Sequence, residues 1–246
     1  MPLSSTFEAR LIRARPLAPT VRELVFERID GQPMVFEAGQ WLKMTMPLAA
    51  AEGGEIRRSY SIASAPDGSP RFEIAVTRVE GGAGSMWLHG LSEGAQVTFL
   101  GPHGFFTRPP TGESPALMIA TGTGVTPLRS MMRAALMAGS RTPISLILGV
   151  RHEQDILYET EMHAAAGAHD SIRFEPTLSQ PAESWQGRRG YVQAHVRALW
   201  AELEQRGAGA PHAYVCGLQR MVGSVRELLR NEMGVDRLRV HSERYD

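Results

Sequence analysis

Cysteine is nearly absent: Cys216 is the only one in 246 residues. A single thiol rules out an internal disulfide, a four-cysteine zinc site and an all-cysteine iron–sulfur cluster within this chain. Lysine is equally scarce. Lys43 is the only one, so 26 − 1 = 25 of the 26 basic residues are arginines, which suit planar, bidentate recognition of phosphate and carboxylate. Net charge is missing too: 26 basic against 26 acidic residues give +0, which lends no support to a nucleic-acid-binding surface. No apolar run approaches the ~20 residues that a bilayer crossing takes. The opening MPLSSTFEARLIRAR has no signal-peptide apolar core. These absences lead us to expect a cytoplasmic protein with no membrane and no nucleic-acid partner.

What is present divides into two halves. The first reads as short alternating runs at Phe7–Arg15, Val21–Arg28, Trp41–Pro47, Ile56–Ala63, Arg71–Val79 and Gln96–Leu100. In RFEIAVTRV, Phe72, Ile74 and Val76 share one face while Glu73 and Thr77 take the other, as a half-buried strand requires. Six such strands separated by turn signals predict an antiparallel barrel or sandwich over residues 1–108. The Pro/Gly/Ser stretch Thr107–Pro115 has no periodicity and marks the boundary. From 114 to 246, strand-like runs (Ala116–Ala120, Ile144–Val150, Ile172–Leu178, Ala213–Cys216, Leu238–His241) alternate with helical ones. Leu128, Met131, Met132 and Ala135 share a helix face, as do Val196, Leu199, Trp200 and Leu203. Alternation of this kind predicts a parallel, doubly wound α/β domain that binds ligands at the carboxyl ends of its strands.

Three stretches suggest chemistry. In ALMIATGTGVTPLRSMM a buried strand runs into Gly122, Thr123 and Gly124, after which Thr126 and Pro127 read as cap and first turn of a helix. Glycines there let a phosphate approach backbone N–H groups, although a purely structural turn would look the same. IRRSYSIAS sets Arg58, Tyr60 and Ser61 on one strand, where a cation, an aromatic and a hydroxyl can hold a phosphate, stack on a ring and donate a hydrogen bond. GGAGSMWLHGL places Ser85 at the expected N-cap of a short helix behind Gly82 and Gly84, a second anion site or simply a glycine turn.

Their order along the chain, RSYS, GAGS, GPHGF, GTGVTP, GVR, YVCG and a terminal Glu-Arg-Tyr, resembles the ferredoxin–NADP reductase family over nearly the whole length. The resemblance implies an N-terminal barrel for FAD and a C-terminal α/β domain for NADP(H) or NAD(H), with flavin and nicotinamide meeting between them. By that resemblance Arg58 contacts the FAD pyrophosphate, Tyr60 packs on the isoalloxazine and Ser61 hydrogen-bonds near flavin N5. Ser85, with Gly82 and Gly84, completes the pyrophosphate cradle. Gly122, Thr123, Gly124 and Thr126 line the nicotinamide nucleotide, and Cys216 with Gly217 sits near nicotinamide C4. Taken alone, Cys216 reads as a buried inert thiol. Glu243 becomes the active-site carboxylate, and Tyr245 the terminal aromatic on the flavin face, with Asp246 an extra charge beyond it.

The family's 2′-phosphate grip falls on Ser179, Arg189 and Tyr191, but Gln180 stands where an arginine is usual, so NADPH is favoured over NADH only weakly. The histidines, among them His89, His103, His152, His163 and His169, lack metal-site spacing, and no metal is expected. The electron acceptor has to come from outside the chain: a ferredoxin or flavodoxin, small acidic carriers that Arg10, Arg13, Arg15, Arg57 and Arg58 would steer. The alternatives are a reductase of free flavin or small acceptors, and a non-catalytic electron-transfer or regulatory subunit. A monomer is expected.

Overall fold

The computed structural model describes residues 5–47, 54–206 and 209–245. The chain forms two compact units: one runs to Pro109 and also takes in Arg129–Ala134, the other holds Pro110–Leu128 and the chain from Ala135 onward.

In the first unit the alternating runs form strands β1 (Ser5–Ala18), β2 (Val21–Arg28), β3 (Trp41–Pro47), β4 (Glu55–Ser61), β5 (Arg71–Thr77) and β6 (Gln96–His103), with one helix, α1 (Ala83–Gly90). They pair in the order β4-β3-β6-β1-β2-β5, and the pairs are antiparallel. Two register shifts in β1, at Leu11/Arg13 and Pro16/Ala18, bend that strand. The chain just past β4 then meets the opposite edge: Ala63 N–H donates to Glu73 C=O on β5 at 2.7 Å. The sheet thus curls into the expected barrel. Its centre is a cluster of four phenylalanines, Phe7, Phe26, Phe72 and Phe99, with neighbouring ring centroids 5.0–6.0 Å apart in stacked and edge-on pairs.

The second unit is a parallel sheet of β7 (Ala116–Thr121), β8 (Ile144–Val150), β9 (Ile172–Leu178), β10 (Arg188–Arg189), β11 (His212–Leu218) and β12 (Val240–Tyr245). The order is β10-β9-β8-β7-β11-β12. Runs such as ALMIA and ISLIL are buried throughout because both faces of a parallel sheet are covered. Helices α2 (Val125–Met137), whose Arg129–Ala134 stretch belongs to the first unit, α3 (Glu159–Ala168), α4 (Val196–Arg206) and α5 (Gln219–Glu227) alternate with the strands. The strand order reverses at β7, whose neighbours are β8 and β11, so the carboxyl ends of β7 and β11 form the topological switch point where such sheets bind ligands.

The last strand departs from the sequence reading. Leu238–His241 was the expected strand, but Arg237–Arg239 makes a 3-10 turn capped by the Asp236 carboxylate, which accepts Leu238 N–H at 2.8 Å. The strand follows as Val240–Tyr245, paired in parallel with β11. Its polar sequence HSERY is tolerated because β12 is an edge strand. Glu243 and Tyr245 are therefore held in a sheet, beyond the run expected to be strand, while Asp246 lies outside the described residues.

Phe99 is 1% exposed at the middle of the aromatic cluster. Phe99→Ala should destabilise the barrel by about 3–5 kcal/mol. Chemical denaturation followed by circular dichroism checks this, and a loss under about 1 kcal/mol would contradict the packing described.

Candidate nucleotide and flavin sites

At the switch point β7 ends in Thr121, a 3-10 turn spans Gly122–Gly124, and α2 begins at Val125. Two glycines are needed here because the strand ends nearly touch. A Cβ on Gly124 would lie 2.2 Å from the Cys216 carbonyl oxygen, and one on Gly217, at φ +142°, would lie 2.3 Å from Thr121 Oγ1. The same Thr121 hydroxyl accepts Leu218 N–H at 3.2 Å, tying the end of β7 to the end of β11. Gly122, at φ +51°, faces open space and leaves its side of the turn free for a ligand. Thr126 is not the cap that the sequence suggests. The helix starts one residue earlier, and the Thr126 hydroxyl donates to Thr123 C=O at 2.8 Å instead of accepting a helix N–H. Neither the turn nor the first turn of α2 carries an acidic residue, which keeps its amide end suited to an anion.

Register then assembles the remaining groups of this unit. Cys216 lies opposite Glu243, and Leu218 opposite Tyr245, on adjacent strands. The Tyr245 hydroxyl hydrogen-bonds the Cys216 thiol and lies 3.3 Å from Thr126 Oγ1. Burial first, and the nearby Glu243 charge second, push the thiol well above its ordinary value, outweighing the Tyr245 and Gly217 hydrogen bonds. Cys216 is thus a neutral, compact side chain at neutral pH, not a nucleophile.

In the first unit β4 places its residues by strand alternation. Tyr60 pairs with Leu42 and Arg58 with Met44, so both share the face that Leu42 and Met44 present to the core; Ser61, opposite Trp41, takes the other face with Arg57. Tyr60 packs against the barrel core, and burial raises its phenol to about 12 despite the Arg58 cation, so it keeps its proton. Arg58 is exposed and donates to Arg57 C=O at 2.8 Å. The arginine steering surface read from the sequence breaks up. Arg57 pairs with Glu55 at 2.8 Å on the face opposite Arg58, while Arg15 at 2.5 Å and Arg13 at 3.9 Å converge on the buried Glu23.

Ser85 is also placed differently from the expectation. Helix α1 begins at Ala83 with Gly82 as its cap, so Ser85 is the third helical residue. Its hydroxyl accepts Val79 N–H at 3.0 Å and donates to Gly82 C=O at 3.0 Å, which shapes the glycine loop from within. A Cβ on Gly84 would press on Ile56 and Met46 at 3.1–3.2 Å, so this glycine lets the helix settle on the barrel wall. No side chain caps the helix and no acid occupies its first turn.

The residues expected around a 2′-phosphate are only partly available. Ser179 follows β9 directly, with its hydroxyl 3.4 Å from Val150 C=O, and Tyr191 is 73% exposed. Arg189, however, directs Nη2 into its own loop, donating to the carbonyls of Ala182, Glu183 and Trp185 at 3.1, 3.1 and 2.7 Å. Arg188 is paired with Glu175 at 3.0 Å. Sequence reasoning missed a further group: Arg129 and Ser130, buried polar residues that hold the backbone after Ser61. Their signal was the RS pair interrupting the apolar face of TPLRSMM.

Comparison with known proteins fits the two-part arrangement. Residues 8–107 match the oxidoreductase FAD-binding domain and residues 118–227 the oxidoreductase NAD-binding domain. The chain is 59% identical over 241 residues to ferredoxin–NADP reductase B of Sorangium cellulosum (strain So ce56), covering 98% of both chains. It is 31% identical to the phenol 2-monooxygenase reductase component DmpP of Pseudomonas sp. (strain CF600), covering 84% of this chain but 56% of that longer protein. Among solved structures, the Amycolatopsis cytochrome P450 reductase GcoB superposes with TM-score 0.81 at 28% identity, over 98% of this chain and 70% of that one. A Neisseria gonorrhoeae ferredoxin NADP+ reductase with bound FAD and NADP shares the fold at TM-score 0.78 and 19% identity, over 97% and 98%. With near-complete coverage at that level of identity, and with both domain models falling on the barrel and the parallel sheet, the chain belongs to the ferredoxin–NADP reductase family.

Proposed function

We propose that this chain is an FAD-dependent oxidoreductase that takes hydride from NADPH and passes electrons one at a time to a separate ferredoxin. The observation that carries the proposal is the switch-point cluster, where a neutral buried thiol, Glu243 and Tyr245 adjoin an open glycine turn at a helix start free of acidic residues. The 59% identity to a ferredoxin–NADP reductase supports the choice of donor and acceptor.

The residues fit the two cofactors. The uncapped, acid-free start of α1 offers backbone N–H groups to the FAD pyrophosphate, with Arg58 as the accompanying cation. Tyr60, protonated and packed on the core, presents a rigid aromatic surface to the isoalloxazine. Ser61 supplies a hydroxyl donor at flavin N5. Residues 1–108 are thus assigned to FAD, and residues 114–246 to the nicotinamide nucleotide. When bound, FAD accepts a hydride and releases its electrons singly.

On the nucleotide side, the Gly122–Gly124 turn serves the phosphates, and the Cys216–Gly217 strand end abuts the nicotinamide. The protonated thiol is small and uncharged, and would permit the roughly 3–3.5 Å approach that transfer from C4 needs. Glu243 would place a carboxylate where it can stabilise positive charge on a bound nicotinamide ring. Tyr245 holds Cys216 and Thr126 in one hydrogen-bonded set. With Arg189 turned into its loop and glutamine at position 180, the preference for NADPH over NADH is small.

Three outcomes are expected. Anaerobic NADPH should bleach the FAD-loaded protein, and ferredoxin added afterwards should restore the colour; flavin lost on dialysis would favour a free-flavin reductase, and failure to bleach a non-catalytic subunit. Ser61→Ala should lower the bleaching rate by about 10²-fold, as loss of a charge-stabilising donor does, with little change in FAD affinity by fluorescence titration; an unchanged rate removes Ser61 from the site. Cys216 should resist thiol reagents at pH 8 in the folded protein and react once denatured, because its pKa lies above the ordinary 9.0. Rapid labelling of the native chain would contradict the burial.

A further inference from the structure

The backbone that follows Ser61 is held at successive polar groups. Ile62 N–H donates to Gln40 C=O at 3.0 Å, and Ala63 N–H to Glu73 C=O at 2.7 Å. The next carbonyls are gripped by side chains of the Arg129–Ala134 segment of the same unit. Arg129 Nη1 donates to Ala63 C=O at 2.9 Å, and Ser130 Oγ to Ser64 C=O at 2.6 Å. The same Arg129 nitrogen reaches the Glu73 carboxylate at 2.5 Å, with Arg133 a second cation at 3.5 Å. Ser64 Oγ in turn accepts Glu73 N–H at 3.2 Å.

Arg129 is only 3% exposed and Ser130 is fully buried, a costly setting for a cation and a hydroxyl. Buried ion pairs of this type add little net stability over apolar residues of similar volume. What they add is direction, since a guanidinium donates along fixed vectors. Here those vectors end on a carbonyl two residues past Ser61 and on the strand that closes the barrel.

We propose that Arg129 is a positioning residue for flavin reduction: by pinning the Ala63 carbonyl and the β5 carboxylate together, it fixes the angle at which Ser61 presents its hydroxyl to flavin N5. Ser130 reinforces the hold one residue further on. The inference rests on the reading of Ser61 as the donor at N5, and it adds a residue that touches neither cofactor in that reading.

The test is stopped-flow anaerobic reduction of the FAD-loaded protein by NADPH, for Ser61→Ala, Arg129→Met, Arg129→Lys, Ser130→Ala and the Ser61→Ala/Arg129→Met double variant. Deuterium exchange over residues 60–66 runs alongside. Arg129→Met should slow the limiting rate about tenfold or more while the NADPH dependence moves less than about twofold. Exchange at the Ile62 and Ala63 amides should quicken, and Arg129→Lys should recover part of both effects. In the Ser61→Ala background, Arg129→Met should add no further slowing, the mark of a residue acting through another. An unchanged rate, or equal slowing with Ser61 already removed, overturns the proposal. Should Arg129→Met fail to retain FAD, Arg129→Lys and Ser130→Ala support the same comparison. If Ser61→Ala alone reduces at the wild-type rate, the proposal falls with the reading of Ser61, and faster exchange in the Arg129 variants would then show that the pinning itself was correctly described.

Discussion

The near-contact of two strand ends governs the chemistry of the second unit. Where β7 and β11 finish side by side, main chain meets main chain, with Gly124 against the Cys216 carbonyl and Gly217 against Thr121. Any side chain at either glycine would force the strands apart, and with them the register that sets Cys216 opposite Glu243 and Leu218 opposite Tyr245. The reversal of strand order at β7 opens this place to a ligand. Close approach of the backbones then determines what lines it. The glycines that a motif reader would assign to phosphate binding thus do two jobs, and only Gly122 faces open space.

The barrel solves a different problem. Its core is apolar and aromatic, yet the segment leaving β4 carries a dense set of polar contacts involving Gln40, Glu73, Arg129 and Ser130. Buried polar networks of this kind are stable only when their members are satisfied, and they then specify a single geometry more sharply than apolar packing does. The segment follows Ser61, whose hydroxyl we propose meets flavin N5, and such specification is useful there. Tyr60 and Ser61, adjacent in sequence and on opposite faces of β4, show how strand alternation gives neighbouring residues separate surroundings.

Much of the architecture could be read from the chain. Six alternating runs became six antiparallel strands because period-2 patterning is a direct consequence of the pleat, and the continuous apolar runs of β7 and β8 marked strands buried on both faces. Features set by tertiary contact were not legible. Whether Arg189 points at a ligand or into its own loop depends on three carbonyls whose position no local pattern encodes. The helix starts at Thr126 and Ser85 were each misplaced, since both hydroxyls bond to preceding carbonyls instead of capping. The last strand was expected at Leu238–His241 and falls instead on Val240–Tyr245, because pairing with β11, not local propensity, makes HSERY a strand. Arg129 was hidden for a related reason: an arginine on a helix is usually solvated, and only the fold reveals the carbonyl and carboxylate it meets.

The most direct measurement of the central claim uses NADPH carrying deuterium at nicotinamide C4, on one face or the other, during anaerobic bleaching of the FAD-loaded protein. The account predicts that deuterium on one face slows bleaching while deuterium on the other leaves it unchanged, as hydride transfer from a nicotinamide held in one orientation requires. Bleaching equally fast with either label, or no bleaching by the nucleotide at all, would contradict it.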